Sequence, residues 1–85
     1  MKELKFVITD ELGIHARPAG MLVKEASKFQ SDIKVTKEEK SVNAKRLFGI
    51  MALAVKKDET IVITAEGTDE EEAITALDSF LKQNL

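Results

Sequence analysis

Leu4, Phe6 and Ile8 alternate with Glu3, Lys5 and Val7 near the start of the chain, the period of a half-buried strand. A loop, Asp10 to His15, follows. Pro18 then sits just inside a helical stretch whose apolar stripe is Ala19, Leu22, Ala26 and Phe29. Proline fits there because a first-turn amide has no intrahelical partner to lose. Ile33 and Val35 alternate with Lys34 and Thr36, Glu38-Glu39 marks a turn, and Ser41-Val42-Asn43 returns, which predicts a hairpin without the Asn-Gly or Asp-Gly turn signal. Leu47, Phe48, Ile50, Met51 and Leu53 predict a short apolar helix interrupted by Gly49. The polar break Lys56-Lys57-Asp58-Glu59 precedes the clearest strand, Thr60 to Ala65, which Gly67 ends. Thr68 with Glu71 reads as a capping box, and the acidic run Asp69 to Glu72 suits the positive end of a helix dipole. Ala73, Leu77, Phe80 and Leu81 give that last helix its buried stripe. The order βαββαβα predicts an α+β fold, an antiparallel sheet with helices on one face.

The 85 residues allow one domain, spanning 1–85, with a single thin core. Hydrophobic residues make up 44% of the chain, which argues against disorder and places any chemistry at the surface of a small core. A net charge of −2 gives no field that would draw nucleic acid or an anionic membrane. There is no cysteine, so disulfides, thiolate catalysis and cysteine-bound metals are excluded. A single histidine, His15, rules out a multi-histidine metal site; neither metal nor cofactor is expected. Only Arg17 and Arg46 stand against eleven lysines. The opening MKELKFVITD reads as neither a signal peptide nor a membrane span, so the expectation is a cytoplasmic protein.

The segment Gly13-Ile14-His15-Ala16-Arg17-Pro18-Ala19 carries the candidate chemistry. Helices usually open on Ser, Thr, Asp or Asn, whose oxygen accepts from the orphan amides. Here His15 and Ala16 occupy the candidate cap positions, so the first-turn amides of Ala16 and Arg17 are left for another acceptor. Free amides at a helix start with an adjacent arginine describe an anion site. The chain's one imidazole at that place suits reversible phosphorylation, with Arg17 offering a planar fork to the phosphoryl oxygens. A lone histidine near a helix start is more often a plain surface or capping residue. The conjunction of missing cap, glycine, histidine, arginine and proline points instead to an anion or phosphoryl site.

Lys45-Arg46-Leu47-Phe48-Gly49-Ile50-Met51 is the second region of interest. A thin core has no room for all of its large apolar residues. Ile50 and Leu53 are expected inside, while Leu47, Phe48 and Met51 partly face solvent between Lys45 and Arg46. Ordinary core packing and a docking patch with an apolar centre and a basic rim remain parallel readings of this segment.

At these residues the sequence resembles HPr, the histidine-containing phosphocarrier family of the bacterial phosphoenolpyruvate–sugar phosphotransferase system. The resemblance spans the chain in length, element order, GIHARPA at 13–19 and SVNAKRLFGIMAL from Ser41 to Leu53. It implies an HPr-like open-faced β-sandwich, a four-stranded antiparallel sheet with three helices on one face. It implies that His15 takes a phosphoryl group on Nδ1, the pros nitrogen, from phospho-enzyme I and passes it to a histidine of a sugar-specific EIIA domain. Arg17 matches the family arginine beside that histidine. Met21, Lys24, Leu47, Phe48 and Met51 fall on the surface both partners use, with Lys45 and Arg46 beside it. The protein would be a stoichiometric carrier rather than an enzyme with turnover, and a monomer. Many relatives carry a regulatory serine where this chain has Arg46; without an acceptor hydroxyl, HPr kinase/phosphorylase has no target at that position. Rival readings are a paralogue of another phosphorelay (the nitrogen-related system or a dihydroxyacetone kinase) and a ferredoxin-like RNA-binding module. The latter needs exposed aromatics on central strands, and Phe6 is the one aromatic predicted on a strand, facing the core. A purely regulatory HPr-fold protein would be expected to lack the phosphorylatable histidine.

Overall fold

Four strands and three helices follow one another in the computed structural model, which describes residues 1–85: β1 (Lys2–Val7), α1 (Ala16–Ala26), β2 (Asp32–Lys37), β3 (Lys40–Asn43), α2 (Leu47–Ala52), β4 (Thr60–Glu66) and α3 (Glu70–Asn84). The strands form one antiparallel sheet in the order β1-β4-β2-β3. Register follows the apolar positions: Phe6 pairs with Ile61, and Val35 faces both Ile63 and Val42. Slipping one residue would turn every one of these side chains to water, so burial fixes the pairing. Ile33, Val35, Ile61, Ile63 and Ala65 are buried beneath the helices, where Ala19, Leu22, Ile50, Leu77 and Leu81 complete the core. The opposite sheet face carries residues such as Glu3, Lys5, Lys34, Thr36, Val62 and Thr64 and no aromatic, while Phe6 packs against the core. The α+β, open-faced arrangement is the one the sequence pattern predicts.

Local details depart from that pattern. Ile8 is buried but lies past the end of β1, where its amide donates to Glu59 O and its carbonyl accepts from Asp58 N. Phe29 lies beyond α1, half-buried in the turn before β2. Gly49 does not interrupt α2; a Cβ there would stand 3.4 Å from Val42 Cβ, so the small residue lets the helix sit close on β3. The Thr68–Glu71 capping box does not form. Helix α3 starts at Glu70 after Asp69, whose side chain makes no cap bond and is engaged with Gln30 and Ser31 instead. Glu70 Oε1 accepts from Gly67 N at 3.2 Å in its place.

Candidate functional site

The loop that carries His15 is fixed from both ends. Thr9 and Asp10 donate their amides to Leu85 O, and the Thr9 hydroxyl adds a 2.8 Å bond to the same oxygen. Asp10 then organises a turn: its Oδ1 accepts from Leu12 N at 2.8 Å and its carbonyl from Gly13 N at 2.9 Å. Gly13 has φ +67°, and Ile14 turns its side chain into the core while its amide donates to Val55 O at 3.0 Å. His15 follows as the N-cap of α1, with extended backbone and no side-chain cap bond.

Within the first turn of α1, Ala19 N donates to His15 O, Pro18 has no N–H, and the amides of Ala16 and Arg17 have no partner in the protein. Buried Pro18 and Ala19 hold this turn to the core. The His15 side chain is 38% exposed, and its Nε2 lies 3.9 Å from Asp10 Oδ1, beyond hydrogen-bond length. Arg17 is exposed and makes no ion pair. Asp10, His15, Arg17, Pro18, Met21 and Asn84 line one shallow depression of about 280 Å³. The arrangement offers a nucleophilic imidazole, two amide donors and an unpaired guanidinium around space for a small anion.

Asp10 and Asn84 are the two lining residues that the sequence reading did not single out. Asp10 had a usable signal, the Asp-x-x-Gly turn spacing, whereas Asn84 reaches the depression only because α3 folds back beside α1. Its amide Nδ2 donates to Phe80 O at 3.0 Å. No three His, Cys, Asp or Glu side chains are grouped to hold a metal ion, and no helix is long and apolar enough to cross a membrane.

Beside the depression, α2 packs against α1. Phe48 is 84% exposed, Met21 41% and Met51 39%, and Leu47 is also exposed, whereas Ile50 and Leu53 are buried. The core-packing and surface readings of this segment therefore divide between its residues. Lys24 and Arg46 are exposed and unpaired, Arg46 as the N-cap of α2 without a side-chain cap bond. Lys45 is placed differently: it is half-buried, with Nζ donating to Phe29 O at 2.7 Å, so its charge is committed to the turn between α1 and β2.

Residues 2–83 match the family model of the PTS HPr component phosphorylation site. The chain is 48% identical to HPr-C-His from Thermoanaerobacter tengcongensis, with a TM-score of 0.94 over 98% of this chain and 93% of that one. It is 41% identical to the phosphocarrier protein HPr of Bacillus anthracis, with a TM-score of 0.88 over 94% of this chain and 95% of that one. Crh, the Bacillus subtilis catabolite repression containing protein, is 36% identical with a TM-score of 0.79, over 100% of this chain and 98% of that one. That Crh structure is a swapped dimer, and HPr of Thermoanaerobacter tengcongensis also occurs as a dimer, so the relatives speak against taking a monomer for granted. Fold, whole-length match and the segment around His15 agree: the chain belongs to the PTS HPr family.

Proposed function

We propose that the chain is a phosphocarrier of a bacterial sugar phosphotransferase system, taking a phosphoryl group on His15 from phospho-enzyme I and handing it to an EIIA domain in the cytoplasm. The observation that carries this reading is the half-exposed His15 at an uncapped helix start, beside two unpartnered amides and the unpaired Arg17. In the transfer, a neutral imidazole nitrogen attacks phosphorus as the phosphorus–nitrogen bond in the donor breaks. The family resemblance implies Nδ1 as the attacking nitrogen; Asp10 Oδ1 stands 3.9 Å from the other ring nitrogen, Nε2. The phosphoryl oxygens then meet the amides of Ala16 and Arg17 and the guanidinium of Arg17. No step needs a metal or a cofactor from this chain; it acts as a stoichiometric carrier.

The exposed patch of Met21, Leu47, Phe48 and Met51, with Lys24 and Arg46 at its edge, suits brief docking of both partners. Arg46 has no hydroxyl to phosphorylate, so control by HPr kinase/phosphorylase at this position is absent. Its positive charge favours acidic partner surfaces; Arg46→Ser should slow transfer and weaken its salt dependence, and unchanged values would remove that role.

The similarity to Crh gives a second reading, a regulatory paralogue. His15, which a purely regulatory protein of this fold would not need, favours the carrier. The test is incubation with enzyme I and labelled phosphoenolpyruvate, followed by addition of candidate EIIA domains. Label should enter the parent, be lost in acid, move on to EIIA and be absent from His15→Ala. Equal labelling of His15→Ala, or an acid-stable label, would refute the carrier reading. Label that moves only to an acceptor of another phosphorelay would assign the chain to that relay.

A further inference from the structure

The segment between α2 and β4 supports the His15 loop on both sides, and Lys37 of β2 clamps that segment where its backbone leaves the core. Lys37, whose side chain is 18% exposed, directs its ammonium there. Its Nζ donates to Leu53 O and Ala54 O, each at 3.2 Å, and pairs with Glu59 Oε1 at 3.0 Å. The same Glu59 oxygen accepts from Lys56 N at 2.6 Å, which closes the segment on itself. Lys37 satisfies carbonyls at the end of α2 that no helical amide reaches, and it steadies Ala54 in a left-handed conformation, φ +51°.

What this clamp holds is the support of the site. Asp58 N donates to Ile8 O and Ile8 N to Glu59 O, just ahead of Thr9 and Asp10. On the far side, Val55 O accepts from Ile14 N, and Gly13 lies directly against Val55 O and Lys56 Cα. His15 is the next residue. The chain of contacts runs from Lys37 through 53–59 to both ends of the loop that sets Asp10 and His15, and it ends at α2, whose exposed face is the proposed docking patch.

We infer that Lys37 is a positioning residue for phosphoryl transfer, fixing through Glu59 and the 53–59 segment the orientation of His15. It touches neither the imidazole nor the phosphoryl group. This inference rests on the carrier reading. Glu59 is held below the usual carboxylate range, first by its bond to Lys37 and then by Lys56 N, in keeping with an ionised clamp at neutral pH.

The test compares the parent with Lys37→Met, Lys37→Arg and Glu59→Gln as substrates of phospho-enzyme I, alongside the His15 ring resonances by NMR and thermal melts. At a temperature where all are folded, Lys37→Met should lower kcat about three- to tenfold with KM within about twofold, and shift the His15 ring resonances. Lys37→Arg, which can still reach the carbonyls and Glu59, should restore both readouts. Glu59→Gln should give the same changes at smaller size, and it carries the test if Lys37→Met does not fold. A folded Lys37→Met that melts earlier yet keeps kcat and the ring resonances of the parent would overturn the inference. If the parent itself takes no phosphoryl group, the carrier reading fails, while the ring resonances still decide whether Lys37 orients His15.

Discussion

Gly13 packs so closely on Val55 that a Cβ on the glycine would stand 2.1 Å from the Val55 carbonyl oxygen. Its φ of +67° also lies where side chains other than glycine are strained. Both demands come from one requirement: the loop must turn sharply and lay its backbone on the 53–59 segment before delivering His15. Gly13→Ala should therefore cost about 2–4 kcal/mol and lower Tm by more than about 10 °C. At a temperature where the variant remains folded, label uptake on His15 should drop about tenfold or more, since a small misplacement of a reacting group is costly. Melting curves and the enzyme I assay check the two halves separately.

Gly20 gives the opposite expectation. It lies inside α1, and a Cβ there would meet nothing within 4 Å. Glycine in a helix interior is worse than alanine by about 0.5–1 kcal/mol, because it has more freedom to lose on folding. Gly20→Ala should raise Tm by about 2–8 °C. A lower Tm would show that this helix needs flexibility where its geometry shows none.

The turn before α3 should make stability depend on acid. The Asp69 carboxylate accepts from the Ser31 hydroxyl, from Gln30 N at 2.8 Å and from Ser31 N at 2.9 Å. The Ser31 hydroxyl first, and the Gln30 amide next, hold its carboxyl below the usual range. A carboxylate depressed in the folded state contributes stability above its unfolded pKa, and that contribution is lost as pH falls through the folded value. Urea midpoints should thus fall as pH drops from about 5 to about 2. Asp69→Asn should be less stable than the parent at neutral pH, and the gap should narrow toward the acid end. A gap that stays constant across this range would mean that Asp69 acts through shape alone.

Most strands were legible because burial on one face imposes a period of two that each strand carries by itself, as in Ile61 and Ile63 of β4. The uncapped start of α1 was legible for the same reason: the residues that fail to cap are adjacent in sequence. The Thr68–Glu71 capping box fails because the helix starts one residue later, at an N-cap Asp69 whose carboxylate is taken by Gln30 and Ser31 from a turn distant in sequence. Nothing local marks Lys45 as bound to Phe29 O rather than standing at the patch rim, or Lys37 as more than a polar residue at the end of β2, because both partners lie sixteen residues away. Asn84 reaches the depression through the return of α3, a tertiary fact, whereas Asp10 is placed by its own Asp-x-x-Gly turn. Local preference and periodicity are written along the chain; hydrogen bonds between distant segments are not.

Phe48 is where docking and folding separate most cleanly. At 84% exposure it adds little to the core, while Ile50, two residues on in the same helix, is fully buried. Truncating an exposed aromatic leaves folding stability within about 0.5 kcal/mol, so Phe48→Ala should melt with the parent. As an aromatic anchor at the centre of the proposed patch, its removal should raise KM for enzyme I about tenfold with kcat little changed, because the reacting groups of His15 and Arg17 are untouched. Ile50→Ala should show the reverse signature, a loss of about 2–5 kcal/mol in stability from the cavity it leaves. Steady-state transfer at varied concentration, run beside melts of both variants, reads the two effects apart. A Phe48→Ala chain that keeps the parent KM would move the partner surface off α2, toward the α1 side where Met21 and Lys24 stand.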